Sequence, residues 1–105
     1  ADNPEFDRDE IAGTAFALSN DPENSVMLRT AAIQVCANLK KLEILPVARD
    51  IVGDSDSAPL KISAMAAVGA LGDNSDQELL RGFLKSSDTR LRTASNAALT
   101  KLGDR

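Results

Sequence analysis

The chain has 105 residues, with 12 Lys and Arg against 16 Asp and Glu for a formal charge of −4, and its three aromatic residues are all Phe. That length supports one modest core, the acidic balance gives no basic footprint for nucleic acid, and few aromatic residues beside abundant Ala and Leu favour thin, closely packed helices over a β-sandwich. One cysteine and no histidine exclude an internal disulfide and any structural Cys/His metal cluster.

From the amino terminus, Asn3-Pro4-Glu5 has the residue types of a helix start: an N-cap, Pro at the first helical position and an acid in the first turn. Ile11, Ala12, Ala15, Phe16 and Leu18 continue that helix at apolar spacing, and Ser19-Asn20-Asp21-Pro22 ends it. A second helix carries Leu28, Ala31, Ala32, Val35 and Leu39 on one stripe, with Lys40 and Lys41 expected in its last turn. The third spans about Leu45 to Val52, with Pro46 tolerated in its first turn and Gly53 as its stop. Pro59 opens the fourth, which runs to Gly72. Ser75 and Glu78 have the spacing of a capping box for a fifth helix through Leu79, Leu80, Phe83 and Leu84. Asp88 caps a sixth from about Thr89 to Leu102, closed by Gly103.

Three of these helices share a spelling. Leu28-Arg29, Leu60-Lys61 and Leu91-Arg92 each open a segment with small residues three and four positions later and a Leu eleven positions on, at Leu39, Leu71 and Leu102. The copies begin 32 and then 31 residues apart, a period that signals a solenoid. The expected fold is all-α: an α-solenoid of about three antiparallel helix pairs, in units of about 1–20 (partial), 21–53, 54–86 and 87–105 (partial). The second, fourth and sixth helices carry the signature, and the first, third and fifth are their partners. Because the chain opens without Met and in mid-pattern, a segment excised from a longer array is expected, and its compartment is left open.

The endings Gly69-Ala70-Leu71-Gly72-Asp73 and Leu99-Thr100-Lys101-Leu102-Gly103-Asp104, together with the Leu-Arg-x-x-Ala openings, resemble HEAT repeats. The resemblance is closest to the short variety named after phycobilisome lyase proteins. It covers about residues 9 to 104 and is weakest in the first copy, where Lys40-Lys41-Leu42 replaces the Leu-Gly-Asp ending. It implies a right-handed superhelix of helix pairs with the second helix of each pair on the concave side. It also implies an inter-repeat ladder, in which the recurring cations Arg29, Lys61 and Arg92 pair with Asp21, Asp56 and Asp88 in the turns before the signature helices.

Catalytic chemistry finds little to work with. Without His or Tyr, and with one Cys in an apolar helix, the usual nucleophile and base pairs are missing. Cys36 reads as buried filler. Asp54-x-Asp56 lacks the remaining ligands of a calcium loop. No catalytic residue, cofactor or metal site is assigned, and binding is left as the natural activity. The outward positions of the partner helices, Glu43, Arg49, Asp50, Glu78, Arg81 and Lys85, are the candidate concave protein-binding surface. The expected partner is another protein, with no nucleic acid and no membrane. A regulatory or accessory domain of an enzyme, a bilin lyase-type protein included, is the alternative. The terminal helices should expose apolar faces, through Phe16 at one end and Leu99 or Leu102 at the other, and so permit end-to-end self-association.

Overall fold

The computed structural model describes residues 4–55 and 57–103, with side chains from Glu10 onward. The proposed cap Asn3 and the ladder residue Asp56 lie outside the described residues. Six helices follow in order: α1 (Pro4–Ser19), α2 (Val26–Asn38), α3 (Ile44–Asp54), α4 (Ala58–Leu71), α5 (Gln77–Arg81) and α6 (Thr89–Gly103). A short 3-10 turn, Asn74–Asp76, leads into α5.

Local chemistry sets the ends of these helices. The Ser25 hydroxyl accepts from the Leu28 amide at 3.1 Å and starts α2, and Ser57 does the same for the Leu60 amide at 3.3 Å ahead of α4. Lys40 and Lys41 are not in the last turn of α2 but beyond it. Lys40 takes a left-handed conformation, φ 58°, and its amide and that of Lys41 return to the carbonyls of Ala37 and Cys36 at 3.2 and 2.9 Å. This is a Schellman ending with Lys in the place usually held by Gly.

Two further ends depart from the sequence expectation. Gly53 lies inside α3, which runs one residue past it to Asp54. The cap before α5 is made by Asp73 and Asp76, not by Ser75 and Glu78: the Asp73 carboxylate accepts from the Ser75 amide, and the Asp76 carboxylate accepts from the Asp73 amide. Helix α5 is correspondingly short. Beyond Arg81 the amides of Phe83 and Leu84 bond three residues back, to Leu80 and Arg81, so the chain tightens into turns.

Helix α4 is the centre of the molecule. It packs against α2, α3 and α6, and Leu60, Ala64, Met65, Ala67, Val68 and Gly69 are buried around most of its circumference. Ile33 and Cys36 from α2, Ile44 and Val52 from α3, Leu80 from α5 and Leu102 from α6 complete the core. At Gly69 a Cβ would lie 2.8 Å from the Cα of Ala98, so this glycine is what lets α4 and α6 approach. The signature helices α2, α4 and α6 thus pack on one another in sequence, and each pairs with a partner helix, as an α-solenoid requires. The Cα trace is a slab of 51 × 33 × 18 Å, about two helix layers thick.

Candidate functional site

Helices α1 and α2 are antiparallel, tied by the Cys36 thiol, which reaches the Ala12 carbonyl at 3.8 Å. Burial pushes the Cys36 thiol above its ordinary range, with Lys41 drawing it partly back. On the side facing away from the core the pair leaves an open groove of about 460 Å³. Ile11, Leu18, Leu28 and Val35 form its walls and Ala15, Ala31 and Ala32 its floor, with Glu10 and Thr14 as the polar lining. Ile11 is 55% exposed, and Met27, at the start of α2, is 83% exposed. The end residues expected from sequence are placed otherwise. Phe16 and Leu99 pack against the core and Leu102 is buried in it, so the apolar end is the one made by Ile11 and Leu28.

The six residues of the candidate binding surface meet different fates. Arg49 is engaged: its guanidinium grips the Asp76 carboxylate through Nε at 2.7 Å and a terminal nitrogen at 3.0 Å. Asp76 is 4% exposed, and this two-point grip holds its carboxyl below the usual carboxylate range. Glu43 pairs with Lys41 at 2.9 Å, which lowers its carboxyl as well, and Arg81 donates to the Gln77 carboxamide at 2.8 Å. Asp50, Glu78 and Lys85 are exposed, and Asp50 lines a groove with Arg29, Ile51, Asp54, Ser55 and Leu60.

Two cations of the expected ladder, Arg29 and Arg92, make contacts other than the expected pairs, and the expected partner of Lys61, Asp56, lies outside the described residues. Arg29 donates to the Ser19 carbonyl at 3.0 Å, one of the orphan acceptors at the end of α1, while the Asp21 carboxylate accepts the Glu23 amide in its own turn. The Lys61 ammonium sits 5.0 Å from the centre of the Phe83 ring. Asp88 caps α6 through the Arg90 amide and pairs with the Arg90 guanidinium at 3.0 Å, leaving Arg92 to the Thr89 hydroxyl at 3.0 Å. In the turns of Asp21 and Asp88 the carboxylate is taken by a nearer donor. Among the described residues, the ion pair that joins one repeat to the next is Arg49 with Asp76, 27 residues apart.

A second depression was not foreseen from sequence. It crosses all three signature helices and is lined by Gln34, Ala37 and Asn38 from α2, Ser63, Ala66 and Ala70 from α4, and Lys101 from α6, with a volume of about 280 Å³. Among the described residues no cluster of three or more acids, Cys or His is placed to hold a metal ion, and no helix is long and apolar enough to cross a membrane.

A family model described as HEAT repeats matches residues 14–100. No curated protein and no solved structure matches the chain significantly.

Proposed function

The chain belongs to the HEAT-repeat family, and from that premise we propose that it is a non-catalytic scaffold segment that engages another protein through the outer apolar face of α1 and α2. HEAT repeats in general mediate protein–protein interaction or scaffolding, which gives the class of function. The observation that carries the choice of face is the open groove walled by Ile11, Leu18, Leu28 and Val35. A contiguous apolar surface left open to water is costly and marks an interaction site. Burying even a single Leu or Ile side chain there contributes about 1.5–3 kcal/mol.

The charged residues of α3 and α5 compete poorly with that. Exposed ion pairs are worth about 0–1 kcal/mol each, and Arg49 is already committed to Asp76. We therefore assign Glu43, Asp50, Glu78, Arg81 and Lys85 to a solvated face. The side of the stack made by the signature helices is the better candidate for the inner surface. Consecutive signature helices pack closely, while α1, α3 and α5 touch one another only marginally. Closer packing on one side bends a stack toward that side.

Sedimentation equilibrium from micromolar to millimolar concentration tests the apolar face. The wild-type chain, with the groove uncovered, is expected to self-associate reversibly, and Leu28→Glu is expected to sediment as a monomer while unfolding at about the same temperature. A wild-type chain that stays monomeric throughout, or equal association of the variant, overturns the assignment.

A further inference from the structure

One stripe of the repeat is covered on α4 and α6 and open on α2. Leu28, Ala31 and Val35, which line the α1/α2 groove, stand 32 residues before Leu60, Ser63 and Ala67 of α4. Those three α4 residues are 2%, 6% and 0% exposed in a helix that α2 packs against, whereas Leu28 is 40% exposed and Ala31 is exposed as well. On α6 the counterpart of Val35 and Ala67 is Ala98, and Gly69 of α4 lies against it. Inside the molecule, then, this stripe is covered by a helix that meets it with a small residue.

Charge marks the open copy in a second way. The groove runs from the turn between α1 and α2, beside Leu18 and Leu28, to Glu10 and Val35 at its other end. Asp21 and Glu23 are exposed in that turn, and Glu10 is exposed in the lining. Up to Asn38 the sequence has seven acids against two cations, and beyond it nine acids against ten cations. One of the two early cations, Arg29, is turned to the Ser19 carbonyl. The net negative charge of the protein therefore belongs to the two helices that form the apolar groove.

We propose that the α1/α2 groove takes a helix of a partner protein that is apolar and small-sided on one face and carries Lys or Arg at both ends. The inference rests on the scaffold reading above and names the chemistry of the partner. From Glu10 to Leu18 the groove follows α1 for about 12 Å, so a helix of about three to four turns reaches past both ends. Its cations then stand near Glu10 at one end and near Asp21 and Glu23 at the other. Exposed acids steer such a helix to the groove and reject one with acidic ends, an effect that salt screens. A second copy of this chain meets the apolar requirement but sets acid against acid, so it is the weaker occupant.

The probe is a synthetic peptide with the α4 sequence Ala58–Leu71, the helix that packs on α6 in this molecule, with two lysines added at each end. Its twin has two glutamates at each end instead. Fluorescence anisotropy measures the binding of both to the full chain. The lysine peptide is expected to bind about tenfold tighter than its twin at low salt, as a few exposed charge contacts imply. That gap is expected to close in about 0.5 M salt. Replacing Glu10→Gln together with Glu23→Gln should narrow it a few-fold, and Leu28→Asn should weaken both peptides. Each variant is first shown to unfold within a few degrees of the wild type. Binding of neither peptide, a gap that the glutamine variants leave unchanged, or binding insensitive to Leu28→Asn overturns the proposal. Equal binding of the two peptides, lost on Leu28→Asn, overturns it while leaving the α1/α2 face standing as an apolar docking surface. Failure of that face itself shows separately, as a wild-type chain that stays monomeric in sedimentation.

Discussion

At the scale of residues, the most consequential pair is Arg49 and Asp76. Asp76 is nearly buried and accepts three hydrogen bonds, two from Arg49 and one from the Asp73 amide. Removing Arg49 leaves that carboxylate desolvated with one donor, so Arg49→Ala should cost about 2 kcal/mol, seen as a fall of about 10 °C in the thermal midpoint. A change of under 2 °C would mean that Asp76 finds water or another donor. The pair also sets an acid limb. Because the folded carboxyl of Asp76 is held below its ordinary value, its contribution is present above about pH 4 and drains away as pH falls through the lower folded value. Asp76→Asn should therefore flatten the thermal midpoint against pH below about 4, with Asp73 and Asp88, also lowered by their partners, keeping part of the slope. Lys40 makes the opposite case: its left-handed φ of 58° costs roughly 1 kcal/mol in a non-glycine residue. Lys40→Gly should raise stability by about that much in urea unfolding.

At the scale of elements, the helices were largely legible and their joints were not. The matched Leu28, Leu60 and Leu91 openings, with Leu39, Leu71 and Leu102 eleven positions on, place α2, α4 and α6 because a buried stripe must recur at helical spacing. The start of α5 was misplaced because Asp73 and Ser75 are both good caps, and only the position of Arg49 makes Asp76 the useful reciprocal acceptor. Arg49 itself reads in sequence as one more outward cation. Its partner is 27 residues away, and no local pattern reports that distance. The Ser63 trough was equally invisible, since it exists only where three helices meet. Gly69 was legible as part of a motif but not for its purpose, which is contact with Ala98. Gly69→Ala gains up to about 1 kcal/mol of helix propensity but forces α4 and α6 apart at a cost of about 1–3 kcal/mol of overpacking. Overpacking should win, and differential scanning calorimetry should show a lower midpoint; a higher one would mean that α6 slides away freely.

At the scale of the whole molecule, the two ends of the stack are unlike. The α1/α2 end is apolar, with Ile11, Leu28 and Met27 in water, whereas α6 shows solvent Arg90, Arg92, Thr93, Asn96, Thr100 and Lys101. In a solenoid each repeat is stabilised by its neighbours, so an apolar end gains more from being covered than a polar one does. The most direct measurement of that claim is the thermal midpoint of the chain with one designed HEAT-like helix pair, apolar on its underside, fused ahead of residue 1. If the α1/α2 face is a docking surface, the fused chain unfolds as one cooperative unit, at least about 5 °C above the original, and Leu28→Glu abolishes the gain. Two independent transitions, with the original midpoint unchanged, would contradict it.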